Sequence, residues 1–138
     1  MVVIYPVILT ATKDAKDTYL IYIPDIDGIS EGYGIEDAYH MARDYIGGML
    51  YDMPDDEIPQ ASPISSIDVA SGKFADAGES FVTLIDLDLE AYRRSINNKA
   101  VRRNVSIPAW LNQAAEDAHL NVSRILQEAL MDKLGVNQ

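Results

Sequence analysis

The chain has 138 residues, a size that accommodates one folded domain of about 90 residues plus a small second module. Its hydrophobic content of 48% argues against global disorder, and the absence of cysteine excludes disulfides, thiolate zinc sites and cysteine nucleophiles. The net charge of −11 is unevenly spread: residues 1–92 carry four Lys/Arg against eighteen Asp/Glu (−14), and residues 93–138 carry seven against four (+3). Opposite signs suggest two electrostatic tasks, one part repelling phosphate and the other tolerating it. The alternative for the acidic part is a surface that only maintains solubility. No basic leader precedes the apolar start and no apolar run has membrane-spanning length, so a soluble, cytoplasmic protein without a membrane partner is expected.

Val2 to Thr12 is β-branched and apolar, as a buried strand requires, and Thr18 to Pro24 is a second strand that pairs with it as a hairpin. The loop Asp25 to Gly34 has room for a short third strand near Ile29 to Gly32. Ile35, Ala38, Tyr39, Ala42, Tyr45, Ile46, Met49 and Leu50 then recur at helical spacing, with Glu36 and Asp37 where the helix dipole favours acids. Gly47 and Gly48 weaken this helix, which predicts close packing against another backbone or an early helix end. Three prolines make residues 53–66 a loop, and Ile67 to Ala70 is a candidate edge strand. Glu79 to Tyr92 contains a strong strand with Val82, Leu84 or their neighbours expected toward the core, followed by a polar linker, RRSINNKA.

Two acidic pairs, Asp25 with Asp27 and Asp86 with Asp88, have the composition of a hard-cation or nuclease site. Against that, Asp86 and Asp88 alternate with Ile85, Leu87 and Leu89 as on a solvated strand face, and PDIDG has the composition of a turn. His40 and His119 are isolated, and no nucleophile elbow or phosphate-cradling glycine loop is present. No catalytic residue, metal site or cofactor is expected.

The tail carries the more specific pattern. Lys99 to Pro108 alternates as one short strand, and two amphipathic helices follow it. A lone strand leaves its backbone groups unpaired, so it must borrow a partner from a second copy. Arg102, Asn104 and Ser106 share one face, and Arg103, Val105 and Ile107 share the other. Arginine pairs bidentately with guanine and asparagine with adenine, so the polar row suits direct reading of the DNA major groove. Asn121 is an N-cap for the last helix, and the free amides around Asn121, Val122 and Ser123 suit a phosphate, with Lys99 as a further phosphate contact. Ile125, Leu126 and Leu130, with Val105 and Ile107, form the expected dimer core. A helical hairpin that only dimerises is the competing reading, and it leaves the Arg–Asn–Ser row unexplained.

RRNVSIPAWLNQAAEDAHLNVSRILQEAL resembles the ribbon-helix-helix repressors, in the version found at the C-terminus of HicB-like antitoxins. Tyr5 to Leu50, with its Pro-Asp turn and Gly-containing loop, and the later IPQASPIS are similar to the HicB domain. Residues 64–80 add nothing to the likeness. The resemblance implies an α+β chain: a small, partial ribonuclease H-like sheet-plus-helix domain over 1–94, then a ribbon-helix-helix dimerisation domain over 99–138. It implies a homodimer, open to pairing into tetramers, that binds a HicA-type mRNA-cleaving toxin and represses its own operon at operator DNA. Asp25, Asp27 and Glu31 are the residues expected at the toxin-facing surface. Arg103 departs from the ribbon pattern, which usually has an apolar residue there. The alternative is a ribbon-helix-helix repressor whose acidic domain senses a ligand and has no toxin partner.

Overall fold

Alternation and β-branching extend the first residues into strand β1 (Val2–Thr12), which a short turn reverses into β2 (Thr18–Ile23) and then β3 (Gly28–Tyr33). A computed structural model describes these and the remaining elements over residues 1–136. Helix α1 (Ile35–Leu50) follows, then single 3₁₀ turns as far as Ala77, strand β4 (Gly78–Asp88) and helix α2 (Leu89–Ile96). The last elements are α3 (Ala109–Asp117) and α4 (Val122–Leu134). The chain is therefore α+β, and it divides into two compact units, Met1–Asn98 and Lys99–Gln138.

In the first unit the sheet order is β3-β2-β1-β4, antiparallel throughout. Val3, Tyr5, Val7 and Leu9 point to one face of β1, because alternate residues of a strand share a side. They pack with Ile21, Ile23, Ile85 and Leu89 under Ala38, Ala42, Ile46 and Leu50, whose four-residue spacing lines one face of α1. The other face of β1 buries Ile8 and Thr10, and Gly72 of the 3₁₀ segment packs against Ile8.

One alternative is decided and two expectations are corrected. The strand β4 faces the core with Ile85, whereas Leu84 is exposed and Val82 only half-buried. Leu84 shares the face of Asp86 and Asp88, so period two places it with the acids. The first half of the polar linker is helical: the Asp88 side chain accepts from the Ala91 amide at 3.1 Å, and α2 carries Glu90 in its first turn and Arg93 and Arg94 in its last. No strand forms over Ile67 to Ala70. Asp68 instead caps a 3₁₀ turn by accepting from the Ala70 amide at 3.1 Å, a local bond that competes with pairing.

Gly47 explains the glycine pair. A β-carbon there would sit 2.4 Å from the Tyr92 ring, so the close approach is to an aromatic side chain of α2 rather than to a backbone. Tyr92 is also held by its hydroxyl, which donates to Asp44. At Gly48 the nearest atom to such a carbon is the Tyr92 oxygen at 3.9 Å. Gly47→Ala is expected to destabilise the unit by overpacking, an effect of about 1–3 kcal/mol partly offset by helix propensity. Gly48→Ala, meeting no obstacle, is expected to stabilise by about 0.5–1 kcal/mol. Thermal melts of the two variants should move in opposite directions.

Candidate functional site

The second unit has two well-formed helices and no core. Asn121 Oδ1 accepts from the Arg124 amide at 3.1 Å at the start of α4, and Gly135, in the left-handed region, ends it. His119, also left-handed, closes α3. Yet no described residue of this unit is buried. Of the expected dimer core, Val105 is 56% exposed, Ile107 43%, Ile125 45% and Leu130 50%, and only Leu126 is half-buried. Helices this short gain most of their stability from packing an apolar face, and here that face is uncovered.

Residues 99–108 form no strand in the single chain, where the sequence predicts one from Lys99 to Pro108; a strand needs a ladder partner, and none pairs with this segment among the described residues. Arg102, Asn104 and Ser106 are exposed, as are Lys99 and Arg103. None of these three cations joins an ion pair among the described residues, while Arg124 is engaged by Glu128 one turn along α4 at 3.0 Å. Arg102 and Arg103 line a groove of about 580 Å³ with Ser123, Leu126, Gln127 and Leu130. The Asn121 cap uses the Arg124 amide, so the Val122 and Ser123 amides at the helix start have no partner among the described residues.

The acidic residues of the first unit have separate tasks. Asp25 is a latch: its carboxylate accepts from the Ser62 amide at 3.0 Å and the Ser62 hydroxyl at 2.5 Å. Beside it, the Tyr5 hydroxyl donates to the Pro59 carbonyl at 2.5 Å. These bonds tie down the long 3₁₀ segment, and Asp25→Ala should expose it to limited proteolysis while leaving the sheet folded. Asp27 is exposed and left-handed, accepting from the Tyr22 hydroxyl at 3.3 Å and pairing with Lys73 at 3.5 Å. Glu31 stands exposed on β3 with no bond to another side chain among the described residues.

Asp86 pairs with Arg43 at 3.0 Å, and this hydrogen bond holds its carboxyl below the usual range. Asp88 caps α2. Among the described residues no three His, Cys, Asp or Glu gather in a way that could hold a metal. Sequence reasoning did not find Arg93, which reaches Asp55 and Glu90 at 3.0 Å each and the Met53 carbonyl at 2.9 Å.

Burial, reinforced by the charge of Asp25, raises the Tyr5 phenol above its ordinary value of 10.0. A raised folded-state pKa contributes stability that is present below the unfolded value and lost as pH rises through the folded one. Comparing wild type with Tyr5→Phe, the advantage of wild type should be present at pH 9 and shrink above about pH 10 in thermal melts.

Among the described residues no helix is long and apolar enough to cross a membrane. No curated protein matches the chain. The crystal structure of the Burkholderia pseudomallei antitoxin HicB is similar over 96% of both chains, at 24% identity and a TM-score of 0.46. Residues 5–129 match the family profile described as the HicB_like antitoxin of bacterial toxin-antitoxin systems, a span that takes in all of the sheet but the first residues of β1, the starts of all four helices and the segment from Lys99 to Pro108. This chain belongs to the HicB-like antitoxin family.

Proposed function

We propose that this antitoxin holds a HicA-type mRNA-cleaving toxin inactive with its first unit and represses its own operon with residues 99–138, acting as a ribbon-helix-helix dimer. The observation that carries the reading is the second unit's missing core: capped helices and an apolar set with no buried side chain among the described residues. A second copy supplies what is lacking. Two arms from Lys99 to Ile107 pair as a ribbon, Val105 and Ile107 turn inward onto Ile125, Leu126 and Leu130 of both chains, and Arg102, Asn104 and Ser106 face outward. Pairing also doubles the Arg102 charge on the outward face, which an otherwise acidic protein needs to hold phosphate.

The first unit, partial ribonuclease H-like in this reading, does no chemistry of its own. An RNA-cleaving partner has to hold a polyanion, and a cationic protein of that kind is attracted by this unit's excess of carboxylates. Asp27 and Glu31 contribute to the attraction as exposed acids, whereas Asp25 serves the fold and thereby the shape of the surface.

Co-expression with the product of the adjacent short reading frame, then mass analysis of the complex and a gel shift on the upstream DNA, tests both halves. A stable complex and a dimer-sized DNA-bound species are expected. Failure of the two products to co-purify would leave a repressor without a toxin, and a monomeric chain that ignores DNA would remove the ribbon.

A further inference from the structure

The outer edge of β4 is open. Leu89 donates to Met1 and Lys13 to Ala77, so the odd-numbered residues of β4 exchange hydrogen bonds with β1. Ser80, Val82 and Leu84 must then point both backbone groups away from the sheet, on the side where the strand order ends. Proteins usually guard such an edge with proline, lysine, a bulge or a covering segment. The opposite edge is short and partly closed, since the Tyr33 amide is taken by Asp37 at 2.8 Å. On β4, among the described residues, a side-chain hydrogen bond closes the edge at one end, where Arg43 donates to the Asp86 carbonyl at 3.0 Å. The edge is also flanked by exposed apolar side chains on both faces, Leu84 at 49% and Phe81 at 40%. An eleven-residue strand with one open edge and apolar flanks is an aggregation hazard unless a partner covers that edge.

We propose that the β4 edge is a strand-addition site that takes an extended, cationic segment of a partner protein and continues the sheet by one strand. Main-chain bonds to Ser80, Val82 and Leu84 supply affinity, and alternate side chains of the added strand lie beside Leu84 on one face and Phe81 on the other. Charge selects the occupant. Residues 1–98 carry six Lys/Arg against eighteen Asp/Glu, so a second copy would bring −12 against −12, whereas a basic segment is drawn in. Glu79 and Asp88, near the two ends of the strand, favour lysine or arginine on the incoming chain. The inference rests on the antitoxin reading, in which the basic partner is the toxin.

Val82→Pro in the full chain isolates the edge. Proline there removes only the outward N–H and leaves the β1 ladder whole, while Thr83→Pro breaks a β1 bond and is expected to unfold the unit. With purified toxin from the adjacent reading frame as the probe, Val82→Pro should melt near wild type and bind about 100-fold more weakly. In the wild-type complex, the Ser80, Val82 and Leu84 amides should become protected from hydrogen exchange, a readout that needs no variant. Equal toxin binding by a folded Val82→Pro, or unprotected amides, overturns the edge assignment and leaves the antitoxin standing. Absence of wild-type binding removes the antitoxin reading and the edge with it. A fall in the mass of the free chain on Val82→Pro would make the occupant a second copy and overturn the cationic partner.

Discussion

Leu126→Asp should yield a monomer that no longer shifts DNA, with the first unit still folded. Leu126 is the residue of the expected dimer core that the single chain half-buries, in the groove it shares with Val101, Arg102 and Leu130. In the proposed dimer that groove would close, and each chain would place one carboxylate in a core built by both. An uncompensated buried charge costs about 3–5 kcal/mol, and two per dimer weaken association by roughly four orders of magnitude or more. The first unit has its own core, centred on Tyr5, Leu9, Ile46 and Ile85, and does not depend on that contact. Light scattering reads the mass, near-UV circular dichroism the integrity of the first unit, and a gel shift the binding. A Leu126→Asp chain that remains dimeric would place the dimer contact elsewhere.

How far the sequence could be read depended on the range of the forces involved. The four-residue spacing of Ala38, Ala42, Ile46 and Leu50 announced α1 because one helix face meets one core, and β1 and β2 were legible from branched, apolar runs. The phase of β4 was also available: once Asp86 and Asp88 are given to solvent, period two sends Val82 and Leu84 with them and turns Ile85 inward. The apolar run through Leu89 hid α2, although Asp88 as N-cap, Glu90 in the first turn and Arg93 and Arg94 in the last are local helix signals.

Other features had no local signature. The Asp25–Ser62 latch joins residues 37 apart, and only the fold brings them together. That is why Asp25 looked available for a partner when its carboxylate is already engaged. The Gly47–Tyr92 contact is of the same kind: the glycine marked a close approach, but its partner lies on an element the periodicity did not reveal. The tail reversed the usual relation. Its sequence implied burial of Val105, Ile107, Ile125 and Leu130, and one copy leaves all four exposed. The unmet requirement becomes informative because it names the residues that the proposed second copy would cover.

Arg102→Ala and Asn104→Ala should each weaken operator binding by about 1–3 kcal/mol, roughly 5- to 150-fold, without changing the dimer. Both side chains lie in solvent and Arg102 has no ion-pair partner among the described residues, so truncation removes little that holds the free protein together. In the ribbon, period two turns them outward while Val105 and Ile107 turn inward, which separates reading from folding along one strand. Lys99→Ala should behave differently. As a phosphate contact it weakens all sequences alike and lowers the steepness of the salt dependence by about one counterion, whereas loss of Asn104 should relax the preference at one base pair. Competition gel shifts over a salt series, with operator and scrambled DNA, separate the two effects. If Arg102→Ala and Asn104→Ala both retain full operator affinity and selectivity, the polar row does not read DNA, and the tail is a dimerisation hairpin whose arm only joins the two units.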